Sequence, residues 1–218
     1  MKGMMSGNAA KRKRDRAYDA TGRQERARQQ REATLERARE LFLAQGYAAT
    51  TVESIAQAGG VSVATVYKTY GGKAGLVREL CTKALAGSGP VPAEQRSNAL
   101  RVANDPRSLI EGWGALVEEV SPRVAPLLLL LRAAAETDPD AAALYAELDQ
   151  ERLDRMADNA HHLARHGNLR ASISEADARD VLWLCTSPEL YELLVQQRGW
   201  TPRQLGEFVT DTIASTIV

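Results

Sequence analysis

Thr50–Lys73, TTVESIAQAGGVSVATVYKTYGGK, decides the reading of this 218-residue chain, because two short amphipathic segments meet there at a pair of glycines. Thr50 stands where it can cap the first segment, and Glu53, three residues on, completes a capping box. Val52, Ile55 and Ala56 then share one helical face. Gly59 and Gly60 follow where the chain must reverse, and glycine accepts the positive φ of a tight helix end. Ser62 caps the second segment, which turns Val66 inward and carries Val63, Ala64, Thr65, Tyr67 and Lys68 around its exposed sides. The pattern predicts a helix-turn-helix. Small, hydroxylated and basic groups on the second helix suit entry into a major groove, where base edges and thymine methyls are read.

Working outward, a first helix is predicted from about Arg31 to Gln45, with Leu35, Ala38, Leu41 and Phe42 inward and Gly46 as its stop. A fourth helix runs from Lys73 to about Leu85, with Gly75 inside it predicting reduced rigidity. Gly87-Ser88-Gly89-Pro90 and Pro92 then mark a boundary. The organisation read from these breaks is a basic, irregular arm over 1–28, a helix-turn-helix DNA-binding domain over 29–86, and a larger domain over 87–218. Net charge is zero, yet residues 1–80 hold 15 basic and 8 acidic side chains and the remainder 13 and 20. A basic head beside an acidic body fits a DNA-binding module on a carrier that does not itself adhere to DNA. In the arm, Lys11, Arg12, Lys13, Arg14 and Arg16 are placed to follow phosphates or enter a minor groove, with Arg12 and Arg14 the named contacts.

Downstream every long segment has helical periodicity and none alternates with period two, so the fold class is all-α. Helices are predicted over Pro106–Val120, from Ser121-Pro122 or Pro126 through the leucine run, and from Asp138-Pro139 to about His166. The last of these carries the stripe Ala141, Leu144, Tyr145, Leu148, Met156, Ala160, Leu163. Ser174 caps a further helix, Ser187-Pro188 kinks or restarts it before Arg198, and Thr201-Pro202 opens the final one. Cys81 and Cys185 fit no metal spacing or disulfide framework. His162 and His166 with Asp158 could face one way, but a solvated helix end accounts for them as well, so no metal and no cofactor is expected. Neither a secretory apolar segment nor a membrane-spanning run is present, and a cytoplasmic location is the expectation.

The run LFLAQGYAATTVESIAQAGGVSVATVYKTYGGKAGLV resembles the N-terminal domain of TetR/AcrR-type transcriptional regulators. Gly46-Tyr47, Thr50-Thr51, Ile55-Ala56, the glycine turn before Val61-Ser62, Tyr67, Tyr70 and Lys73 carry the resemblance, and weaker similarity continues to the last helix. It implies phosphate contacts from Tyr67, from Lys73 at a helix N-terminus, and from Thr50 or Thr51. Ser62, Val63, Ala64, Thr65 and Lys68 complete the DNA-facing set. With no Arg, Asn or Gln in the recognition helix, base reading falls to methyl contacts, Lys68 and DNA shape. The resemblance further implies a homodimer formed by the last two helices, a palindromic operator in double-stranded DNA, and release by a small effector. Trp113, Tyr145, Met156, Trp183 and Tyr191 are the candidate pocket residues, for a largely apolar effector, with Arg132 available to an anionic one. A non-specific architectural DNA-binding protein is the alternative. A helical enzyme is more remote, since no nucleophile with a base, carboxylate pair or phosphate loop is present.

Overall fold

A computed structural model describes the backbone of residues 7–103 and 105–218, and the side chains of residues 22–102 and 105–218. Among the described residues all regular structure is helical, as the periodicity predicts. α1 (Gly7–Ala49) starts far ahead of the expected Arg31, so over residues 7–28 a helix stands where the sequence predicts an irregular arm. Where it is described, its exposed part has local support that apolar periodicity does not register: Arg28 pairs with Glu25 and Glu32, and Gln29 donates to Glu25. The side chains of Arg12 and Arg14 lie outside the described residues, and their DNA contacts stand as expectations. At the other end Gly46, with φ 84°, breaks the helical path where a stop is expected.

α2 (Val52–Gly59), α3 (Val63–Tyr70) and α4 (Lys73–Ala86) pack with α1 around Phe42, Ile55, Val66, Leu76 and Val77, all fully buried. Gly60, φ 64°, caps α2 in the left-handed region and makes the turn. Gly75 has a different role from the one expected. A Cβ there would stand 1.6 Å from the Tyr70 carbonyl oxygen, so the missing side chain lets the end of α3 press against α4. The position is a tight contact and not a loose point.

α5 (Ala93–Ala103) fills a stretch the sequence leaves unassigned. α6 (Pro106–Ala134) is one helix through both Pro122 and Pro126, where the sequence predicts a break or restart. Each proline removes one backbone donor, at about 3 kcal/mol in a helix interior. Val117, Val124, Ala125, Leu127 and Leu131 are buried along the same stretch, and that packing holds the helix together across both sites. α7 (Pro139–Arg165), α8 (Glu175–Cys185), α9 (Pro188–Tyr191) and α10 (Pro202–Thr216) start where their caps predict, at Asp138, Ser174, Ser187 and Thr201. α9 continues as a π-helical turn over Glu192–Gln197. None of the described helices is long and apolar enough to cross a membrane.

Two apolar clusters result. One joins the head to the later half of α6 and the first half of α7, through Val124, Leu127, Leu131, Ala141, Leu144 and Leu148. The other joins the first half of α6 and the end of α7 to α8–α10. In the second, α6 and α10 cross at glycines: a Cβ on Gly114 would lie 1.9 Å from Thr210 Oγ1 and 2.7 Å from the Gly206 carbonyl. The linker before α5 is fastened by Glu119 of α6, which accepts both ends of the Arg96 fork at 2.8 Å and the Ser88 N–H at 2.7 Å. The Arg96 hydrogen bonds, first, and that of Ser88 pull the Glu119 pKa down to about 2 from an ordinary 4.5. A depressed carboxylate stabilises the fold above the unfolded value and stops doing so as pH falls toward the folded one. Glu119→Gln should therefore cost about 1 kcal/mol at pH 7. In urea melts the gap from wild type should close between pH 4.5 and 2, and a gap independent of pH would contradict this.

Candidate functional site

At the head, the cap of α2 is one residue later than the sequence predicts. Thr51 accepts from the Ser54 N–H at 3.0 Å, and Ser54 Oγ accepts from the Thr51 N–H at 3.2 Å, so the capping box is Thr51/Ser54 and not Thr50/Glu53. Thr50 is fully buried, donating to the Gly46 carbonyl at 2.7 Å and accepting from Gln45. Its hydroxyl therefore closes the α1 end and is out of reach of a phosphate, whereas Thr51 is exposed. The start of α3 follows the prediction, with Ser62 accepting from the Thr65 N–H at 3.1 Å. Ala64, Thr65, Tyr67 and Lys68 are exposed, while Val63 is half-buried against the head core, which corrects its placement on the free side. Lys68 has no ion-pair partner among the described residues and Tyr67 is 53% exposed, so both are available to an external partner.

Lys73 is held at the protein. Its ammonium donates to the Tyr47 carbonyl at 3.0 Å and sits 4.2 Å from the centre of the Tyr47 ring, so one of three donors is already engaged. Tyr70 donates to the Arg31 carbonyl at 3.1 Å, which fixes α3 to α1. Burial first, then Asp138 and Asp140 from the body, raise the Tyr47 hydroxyl to about 12. The base of the head therefore faces the turn between α6 and α7.

In the body a cavity of about 470 Å³ opens where the two apolar clusters meet. Its size is within the roughly 300–1,000 Å³ typical of small-molecule sites. Helix α4 contributes Cys81 and Leu85, α6 contributes a face from Trp113 to Leu128, and α8 and α10 contribute Leu182, Val209 and Ile213. The polar side comes from α5 and α7: Glu94, Ser97, Glu151, Arg152, Arg155 and Asn159. Burial raises the Cys81 thiol to about 12, so it is a neutral wall group. Next to it, Arg78 of α4 is clasped by Glu147 and Glu151 of α7, the latter at 3.2 Å.

Of the predicted pocket residues, Trp113 and Met156 line this cavity; Tyr145, Trp183 and Tyr191 do not. The Tyr145 hydroxyl donates to Glu189 of α9, which also takes Arg132 of α6 at 2.6 Å, so Arg132 is engaged at the α6–α9 contact and not in the cavity. Trp183 donates to Asp149 and lies under the Arg152 guanidinium, 4.5 Å from its ring centre. Tyr191 is buried in the second cluster. These three aromatics occupy contacts between helices. The polar α7 positions that line the cavity, Glu151, Arg152, Arg155 and Asn159, are missed by a search for aromatic residues. Their signal is a polar interruption at helical spacing in the stripe Leu148–Met156–Leu163.

Residues 35–80 match the family described as bacterial regulatory proteins, tetR family. No curated protein sequence matches the chain. Among solved structures, NalD, the secondary repressor of the MexAB-OprM multidrug efflux pump in Pseudomonas aeruginosa, superposes with a TM-score of 0.70 at 23% identity, over 89% of this chain and 98% of that one. SmeT in complex with triclosan gives 0.64 at 18% identity, over 87% and 92%. The TetR-family transcriptional regulator PfmR from Thermus thermophilus gives 0.55 at 20%, over 84% and 97%. Residues 35–80, the greater part of the head, thus match the tetR family of bacterial regulatory proteins, and the chain as a whole shares the fold of solved TetR-family transcriptional regulators.

Proposed function

We propose that this chain is a homodimeric repressor that binds a palindromic operator and is released when a small molecule enters the body cavity. The observation carrying this reading is that one helix serves both ends. α4 begins at Lys73, directly after the recognition helix, and its Cys81 and Leu85 are cavity wall. A ligand that presses on those side chains acts on the element that positions α3. It changes DNA affinity only to the extent that it favours one α4 position over another. The Arg78 clasp to Glu147 and Glu151 is the polar contact that such a movement would strain. NalD is a repressor and SmeT forms a triclosan complex, which supports the same two properties here. Dimerisation is supported by the large apolar groups, Leu184, Leu193 and Phe208, that the last helices leave exposed.

On DNA, Thr51, Ser62 and Tyr67 contact phosphates, with Lys73 joining them through its remaining donors. Ala64, Thr65 and Lys68 face the groove. The test is selection from random duplexes by the purified protein at near-physiological salt, followed by the same selection with Lys68→Ala. Enrichment of a palindrome is expected, with the variant losing about 10-fold in affinity and relaxing its preference at one position per half-site. Recovery of unrelated sequences would defeat the operator reading. Equal loss on all sequences would make Lys68 a phosphate contact.

A further inference from the structure

The charges around the cavity differ in how far water reaches them. Arg152 and Arg155 are 14% and 24% exposed at the side chain, whereas Glu94 and Glu151 are 75% and 54% exposed. Solvated carboxylates are screened, while sheltered guanidinium groups act through a lower dielectric, so the field inside is positive although the formal charges nearly balance. Glu151 is in addition engaged with Arg78, and Arg152 with Asp149 and the Trp183 carbonyl.

Arg155 is held more loosely. Its nearest carboxylate oxygen among the described residues, on Glu94, is 3.6 Å away, and its hydrogen bond to the Glu94 carbonyl is 3.3 Å long. One turn along α7, Asn159 is only 4% exposed. Its Oδ1 accepts from both Nε and Nη2 of Arg101, at 3.1 and 2.5 Å. That fork fixes the orientation of the amide, because its nitrogen cannot accept from a guanidinium. The Nδ2 group is thereby left as a buried donor whose partner among the described residues is the weakly accepting Met156 sulfur at 3.9 Å. Behind it Arg101 has no ion-pair carboxylate among the described residues; burial first, then Arg155, lower its proton affinity, and the more distant charges of Asp158 and Glu94 offset this only in part.

From this arrangement we propose that the cavity takes an amphipathic organic anion, its carboxylate received by Arg155 and Asn159 Nδ2 and its apolar body lying along Trp113, Val117, Val209 and Ile213. The proposal rests on the reading of the cavity as the effector site, and it departs from the largely apolar effector expected from sequence. An acceptor head group satisfies the stranded amide donor and adds counter-charge at Arg101 and Arg155; of the carboxylates nearby, Glu94 is exposed and Glu151 is held by Arg78.

Three probes sharing one chain test it: decanoate, decanol and decyltrimethylammonium, titrated calorimetrically into the full-length protein. Decanoate should bind at least about 10-fold more tightly than the other two, the effect of one charge-assisted contact. In Arg155→Gln and in Asn159→Asp, which keeps a partner for Arg101 but turns the donor into a carboxylate, the ratio of decanoate to decanol affinity should fall to about one. Thermal melting of each variant confirms that it is folded. Decanol or the ammonium binding as well as decanoate, or an unchanged ratio in both variants, overturns the anion proposal and leaves the cavity as a small-molecule site. Binding by none of the three overturns both.

Discussion

Gly114→Ala should lower the stability of the chain by about 3 kcal/mol, the upper end of the losses from overpacking. The reason is geometric. The new methyl would lie 1.9 Å from Thr210 Oγ1 and 2.7 Å from the Gly206 carbonyl oxygen, and the second of these is backbone. Rotating Thr210 relieves the first contact, but only a separation of α6 from α10 relieves the second. The apolar contacts of Leu205, Val209 and Ile213 would loosen along with it. For a domain of this size the thermal midpoint should fall by roughly 6–12 °C. Thr210→Ala added to Gly114→Ala should return only part of the loss. Full recovery would show that the side chain, and not the backbone crossing, sets the limit, and a midpoint within about 2 °C of wild type for Gly114→Ala alone would refute the argument.

The second large effect concerns assembly. Three large apolar side chains on the last helices remain outside the monomer: Leu184 at 57%, Leu193 at 51% and Phe208 at 39% exposure, with Trp200 edge-on to Phe208. On the homodimer reading these are buried by a second copy. Replacing both Leu184 and Leu193 by Arg places charge at the centre of that contact, where unpaired charge is most costly. Sedimentation equilibrium should then return a monomer. Affinity for the full palindrome should fall more than roughly 100-fold while affinity for a single half-site stays as it was, since one recognition helix alone cannot supply the second set of contacts. A double variant that still sediments as a dimer and binds the palindrome at wild-type strength would remove the last two helices from the interface.

The head was legible in the sequence because its punctuation is local. Gly46, Gly60, Ser62 and the Val52–Ile55–Ala56 face each follow from neighbours within a few residues. The one-residue shift of the α2 cap to Thr51 was beyond that reading, since both threonines can cap and the choice is made by Thr50 finding the Gly46 carbonyl. In the body, caps again located helix starts, but the continuity of α6 through two prolines depends on packing against helices distant in sequence. Cavity residues were half visible for the same reason. Periodicity identifies the inward face of α7, yet whether Met156 or Tyr145 meets a void or another helix depends on where α8 and α9 lie. Arg132 and Trp183 looked free in sequence and are taken up by Glu189 and Asp149, 57 and 34 residues away.

The apolar cluster that runs unbroken from the head into α6 and α7 has a consequence for modularity. Leu76, Val77 and Leu80 share one core with Val124, Leu127 and Leu131, so the linker at residues 87–92 divides the chain without dividing its interior. A fragment ending at Ala86 would expose the side of its core that the body now covers. Head and body should accordingly melt as one cooperative unit. Exchanging this head for another would require the surfaces at both sides of the seam to be recut together, so that, on the proposed function, DNA specificity and effector response would be inherited as a matched pair and not as interchangeable parts.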